Sequence, residues 1–148
     1  MNSDFRCKCP ITSALDIVGD KWTLVIIKQM LLEEKKTFKD FSQSDEAIAS
    51  NILSSRLKML EKYKMIRKEK LPHNQKTNIY LLTEKGLGLT PTIVELTHWS
   101  DSNLREYNSS IISDSRIEMV RNNKEESIKM IVKSYKQNTG YNLSLIHI

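Results

Sequence analysis

Near residue 65 the sequence changes its period, and that change restricts the fold more than any other feature. From Ser50 to Lys64 the apolar residues keep helical spacing: Leu53, Leu57 and Leu60 stand at i, i+4 and i+7, flanked by Ile52 and Met59. Asn51, Ser55, Lys58 and Lys62 occupy the other side at i, i+4, i+7 and i+11, so one face is apolar and the other small, polar and cationic. Ile66 to Leu71 and Thr77 to Leu82 then read as two short strands, with Tyr80 and Leu82 on one side of the second. Between them Pro72-His73-Asn74-Gln75-Lys76 forms a polar, basic tip. A cationic helix face joined directly to a basic hairpin is a narrower pattern than an amphipathic helix alone.

The residues upstream supply three shorter helices. Pro10 suits a first helical turn, and Ile11, Leu15 and Val18 follow at spacings of four and three. Gly19-Asp20 ends that helix, and Asp20 can cap the next, which runs from Lys21 to Leu32. Its inward stripe is read as Trp22, Val25, Ile26 and the Gln29/Met30 pair. Glu33-Glu34-Lys35-Lys36 is a solvated break, after which Thr37 caps a short helix through Phe41 with Phe38 and Phe41 on one side. Downstream, Thr83-Glu84-Lys85-Gly86 opens a helix that restarts or kinks near Pro91 and continues through Ile93, Leu96, Trp99, Leu104 and Tyr107. A polar stretch, Asn108 to Ser115, precedes a last amphipathic helix carrying Ile128, Ile131, Val132 and Tyr135.

Charge is concentrated in the same place as the change of period. Arg56, Lys58, Lys62, Lys64, Arg67, Lys68, Lys70 and Lys76 face only Glu61 and Glu69 within that stretch, an excess larger than the +5 of the entire 148-residue chain. The isoelectric point near 9.2 is therefore the property of one segment. A local basic stripe on a near-neutral body is the footprint of a polyanion partner, most often nucleic acid. No apolar run approaches the ~18 residues of a membrane span, and Met1 to Pro10 has no apolar core of a secretory signal, so a cytoplasmic protein is expected. The sequence holds no Gly-rich phosphate loop, no Gly-x-Ser-x-Gly elbow and no His-Glu-x-x-His, and its three histidines pair with no nucleophile at a motif spacing. No enzyme and no cofactor are expected.

Helix, helix, short helix, polar-faced helix and basic hairpin, in that order, make a mainly α winged helix-turn-helix with a small β-hairpin wing. The helix beginning at Ser50 is then the recognition helix. Ser50, Asn51, Ser54 and Ser55 are short enough to approach base edges. Lys58 and Lys62, with Arg67, Lys68, Lys70 and Lys76 on or near the wing, reach phosphates, and Lys76 at the tip can enter a minor groove. Arg56 lies about a quarter turn from the core stripe and either braces the helix or touches the DNA backbone. The alternative is a winged-helix interaction module whose basic face meets an acidic protein.

Cys9-Pro10, Gly19-Asp20-Lys21-Trp22-Thr23, Phe38-Lys39-Asp40-Phe41, Ile48-Ala49-Ser50-Asn51-Ile52-Leu53, Arg56-Leu57, Leu60-Glu61 and Tyr80-Leu81-Leu82-Thr83-Glu84-Lys85-Gly86 occur in order and at compatible spacing. Through them residues 7–107 resemble the HxlR-type transcriptional regulators, relatives of the MarR group. The resemblance implies a dimeric bacterial DNA-binding regulator, its interface built from the N-terminal and post-wing helices. The sequence departs from the family where Ala49 replaces a frequent Ser or Thr, so that capping is expected to pass to Ser50, and where His73-Asn74-Gln75 replaces a Pro-rich tip. Cys9 matches an N-terminal cysteine that several members use to sense oxidants or electrophiles. Arg6, Lys8 and the positive end of the first helix favour its thiolate, against the plainer reading of a tolerated thiol.

Cys7 has no counterpart in that pattern, and Cys7-Lys8-Cys9 lacks the further ligands of a tetrahedral metal site, so no metal centre is expected. The two cysteines are also too close in sequence for an unstrained disulfide. Trp22, Trp99, Tyr63 and Tyr80, among aliphatic residues at regular spacing, are read as core. Ile93, Leu96, Trp99, Leu104 and Tyr107, joined by Ile11 and Leu15, exceed what one small domain buries, so a homodimer is expected. Its two recognition helices would lie ~34 Å apart on a pseudo-palindromic duplex; a small-molecule effector is left unassigned. The expected organisation is a winged-helix domain over 7–107, a polar connector and amphipathic helix over 108–142, and a tail over 143–148. That tail, Leu143-Ser144-Leu145-Ile146-His147-Ile148, reads as the translation of a transposase-adaptor end from a sequencing library, which would leave the natural residues after Asn142 missing.

Overall fold

The computed structural model describes residues 5–71 and 73–140, so the expected adaptor tail lies outside the described residues. The chain divides into two compact units between Thr83 and Glu84.

In the first unit, α1 (Pro10–Val18) starts on its proline and stops at Gly19, whose N–H donates to the Leu15 carbonyl at 2.8 Å. A Cβ on Gly19 would sit 2.3 Å from that carbonyl oxygen, so the turn accepts only glycine. Asp20 then opens α2 (Thr23–Glu33), accepting from the N–H groups of Trp22 at 2.9 Å and Thr23 at 3.0 Å and from the Thr23 hydroxyl. Helix α2 is the centre of the unit: Ile26, Ile27 and Met30 are fully buried and Leu31 nearly so. Ile27 and Leu31 widen the expected stripe, while Trp22 and Val25 are only half-buried.

Thr37 caps α3 (Phe38–Ser42) through a reciprocal capping box with Asp40. Phe41 is buried; Phe38 is exposed rather than beside it. Helix α4 (Ser50–Lys62) buries Leu53, Leu57 and Leu60, as its spacing requires. Capping does not pass to Ser50: that residue already has helical backbone, and Ala49 is the N-cap with no side chain to accept a bond. The helix ends before Lys64, which takes a left-handed conformation (φ 62°). That bend lets the Met65 N–H bond the Leu60 carbonyl and turns the chain into the hairpin.

Strands β1 (Ile66–Leu71) and β2 (Asn74–Leu82) pair antiparallel with Ile66 opposite Leu82 and Lys68 opposite Tyr80. The second strand starts three residues before the expected Thr77, because the register shifts at Lys70/Leu71 and Leu71 pairs with Asn74. Much of the expected tip is therefore strand. The Tyr80 N–H also donates to the Lys36 carbonyl at 2.7 Å, anchoring the hairpin to the segment before α3.

The second unit holds α5 (Glu84–Leu87), α6 (Thr90–Asn103), α7 (Ser115–Asn122) and α8 (Lys124–Thr139). The restart at Pro91 is found, but α6 stops at Asn103, short of the expected Tyr107. Arg105 accounts for the stop: its guanidinium donates to Asp101 behind it and to the carbonyls of Ile111 and Ile112 ahead, which favours a reversal over another helical turn. Helix α7, absent from the sequence reading, is capped by Asp114, and α8 by Asn123. Arg121 holds Asp101 through two bonds of 2.7 and 2.8 Å, tying α7 to α6. Trp99 is 56% exposed, not core, and Leu96 lies beside it in the open. Among the described residues no helix is long and apolar enough to cross a membrane.

Candidate nucleic-acid interface

Because Leu53, Leu57 and Leu60 face inward, α4 presents Ser50, Asn51, Ser55, Lys58 and Lys62 to solvent as one continuous stripe. Ser54 is half-buried at its edge. The turn leading into α4 is fastened by Glu46, which accepts from Lys28 and, at 2.8 Å, from the buried amide of Gln29 on α2. Burial pushes the Glu46 carboxyl up, but those two donors and the lysine charge outweigh it and hold it below its ordinary value. Nothing in the sequence spacing marks this brace.

Arg56 lies at the edge of the stripe, where its Nη2 donates to the Ser55 hydroxyl at 3.3 Å. Its Nη1 lies 3.6 Å from Asp20, the carboxylate that starts α2, so it links α4 to the α1–α2 turn. Burial raises the Asp20 pKa; the Thr23 hydroxyl, the N–H groups of Trp22 and Thr23, and the Arg56 charge together depress it further. The Asp20 contact braces α4 against the α1–α2 turn.

On the wing, strand alternation separates residues that the sequence groups together. Lys68, Lys70 and Lys76 are exposed. Lys68 lies 3.7 Å from Glu61 on α4, so the exposed side of β1 continues the surface of α4. Arg67 faces the other way, 18% exposed and paired with Glu69 at 2.8 Å. At the tip, Asn74 accepts the Lys76 N–H at 3.1 Å and donates to Thr77 at 2.9 Å, fixing the backbone from which Lys76 projects.

The segment before α1 reaches the far end of α4. Phe5 meets the Tyr63 ring edge-on at 6.1 Å, and Lys62 lies over that ring at 5.2 Å. Arg6 binds Asp16 through its backbone N–H at 3.0 Å and through its guanidinium. Cys9 is the exposed N-cap of α1. The backbone N–H and hydroxyl of Thr12, then the N–H of Ile11, lower its thiol pKa against a small opposing effect of burial. Nothing in the sequence spacing marks the Phe5 contact, and Arg6, expected beside the Cys9 thiol, is engaged by Asp16 instead.

The profile of the HxlR-like helix-turn-helix family matches residues 17–108. The HTH-type transcriptional regulator YodB of Bacillus subtilis is 34% identical over 94 residues, 63% of this chain and 83% of its own length. Its reduced structure superposes with a TM-score of 0.53 at 31% identity, covering 66% of this chain and 95% of that one. The redox regulator HypR in its reduced form gives 0.59 at 28% identity, covering 68% and 99%. YodB has also been solved after diamide treatment and with quinone bound.

Proposed function

This chain is a member of the HxlR-like helix-turn-helix family and a DNA-binding transcriptional regulator of winged-helix fold, and from that premise we propose how it acts: as a homodimer that occupies a pseudo-palindromic operator and represses by covering it. Asn51, with Ser50, Ser54 and Ser55, reads base edges; Lys58, Lys62, Lys68, Lys70 and Lys76 meet phosphates. Arg56 and Arg67 mainly brace the two elements that carry those contacts. The observation that carries the reading is the shared surface of α4 and β1, where exposed lysines flank short polar side chains. The exposed Leu96, Trp99, Ile11 and Leu15 support self-association. A regulator of this kind works on cytoplasmic DNA and needs no catalytic group.

Cys9 is the thiol through which oxidants or electrophiles release the operator. Its lowered pKa and exposure support that role, as does the likeness to regulators solved with diamide and quinone. The test is an anisotropy titration of the duplex upstream of the gene against a scrambled duplex. Binding should be about a thousandfold tighter to the first and fall steeply with salt. Equal affinity for both would defeat operator reading.

A further inference from the structure

Cys7 is the residue that neither the family pattern nor the proposed oxidant response uses. Both Cys7 and Cys9 are exposed thiols. The backbone between them curls so that the Cys9 N–H points at the Cys7 sulfur, 3.4 Å away. Standard covalent geometry keeps a cysteine sulfur within ~4 Å of its own nitrogen, so the two sulfurs lie within roughly 8 Å of each other. The curl is held from both ends. On one side Arg6 is fixed to Asp16; on the other the Ser13 N–H donates to the Cys9 carbonyl at 2.9 Å, and the Ser13 hydroxyl to the Cys7 carbonyl at 3.5 Å.

A direct disulfide across this single intervening residue is strained, because its fixed S–S length and near-perpendicular dihedral do not suit so small a ring. One large atom inserted between the sulfurs lengthens the bridge and removes that constraint. Rotation about the χ1 bonds of two exposed side chains supplies the remaining adjustment. The centre must bind two soft thiolates and need no third protein ligand, since no group of three His, Cys, Asp or Glu is arranged for a metal among the described residues.

We propose that Cys7 and Cys9 form a dithiol site for a trivalent arsenical. In the reaction with an arsenoxide two As–S bonds form and the As–O bond breaks. Both thiol protons leave with the oxygen as water, and arsenic stays trivalent, so no oxidant is required. The lowered thiol pKa of Cys9 favours it as first nucleophile, and Cys7 closes the ring intramolecularly at high effective concentration. The site thus differs from the oxidant response, which uses Cys9 alone.

Phenylarsine oxide is the probe, added to the reduced full chain and followed by intact mass and thiol titration. The parent should keep one phenylarsine per chain in a large excess of mercaptoethanol, lose both titratable thiols together, and recover both with dimercaptopropanol. Cys7→Ser and Cys9→Ser, both at exposed positions outside the core, should each retain at least about tenfold less adduct under the same monothiol. A parent that surrenders the adduct to mercaptoethanol, or a single-cysteine variant that holds it as firmly, overturns the proposal. Neither readout involves DNA, so its failure is separate from failure of the operator reading.

Discussion

Lys68 and Arg67 are neighbours of like charge, yet their environments give opposite predictions for replacing each with alanine. Lys68 is 46% exposed on the surface continuous with α4, whereas Arg67 is 18% exposed and engaged by Glu69. Each phosphate contact contributes about 0.9 to the slope of log K against log salt. A homodimer carries two wings, so Lys68→Ala should flatten the slope by about 1.8. Over a rise from about 50 to about 200 mM salt, that makes the variant's loss of affinity about twelvefold smaller than the parent's. One wing on the duplex would give about 0.9 and about 3.5-fold instead. Arg67→Ala should leave the slope unchanged and cost about 1 kcal/mol of stability or less, from its pair with Glu69 and its half-buried stem. Anisotropy of a mixed-sequence duplex suffices, because phosphate contacts are indifferent to sequence. If Arg67→Ala flattens the slope while Lys68→Ala does not, the faces of the wing have been assigned backwards.

Three further outcomes follow from the same geometry. Trp99→Glu should convert the protein from dimer to monomer in sedimentation at micromolar concentration; a monomeric parent would remove the dimer altogether. Because the folded state holds the Asp20 carboxyl below its ordinary 3.8, its contribution is complete above that value, declines below it and is lost as pH falls through the lowered folded-state pKa. Urea midpoints should therefore drop more for the parent than for Asp20→Asn between neutral pH and ~3, and parallel drops would remove Asp20 from the acid response. Cys9→Ser should bind operator like the parent but ignore diamide, and an unchanged response would make Cys9 incidental.

Elements governed by neighbours in sequence were legible in advance. Thr37 announces the start of α3, and Leu53, Leu57 and Leu60 define the buried face of α4 by spacing alone. Pro91 marks the start of α6 because its missing N–H is harmless only there. What escaped depends on partners far along the chain. The Arg56–Asp20 pair and the Glu46 brace on Lys28 and Gln29 have no local signature. Nor does the end of α6, since the Ile111 and Ile112 carbonyls that hold Arg105 belong to a stretch read only as polar connector. Helix α7 escaped for a different reason: eight residues with two buried apolar side chains, Ile117 and Val120, give too short a period to recognise, although Asp114 caps it plainly. Trp99 shows how regular apolar spacing identifies a face without saying what covers it. The exposed face of α4 and the basic wing were thus readable, while the ion pairs that hold Arg56 and Arg67 required the packed structure.

In the proposed mode of binding, α4 reads sequence through its short polar face while the lysines around it supply affinity for any duplex. Asn51→Ala tests it most directly, measured by anisotropy on the upstream operator and on a scrambled duplex at one salt concentration. Asn51 is exposed and far from the core stripe, so the variant folds as the parent does. The expected loss is about 1–3 kcal/mol on the operator with almost none on the scrambled duplex. Equal weakening on both, or no loss on either, would contradict it.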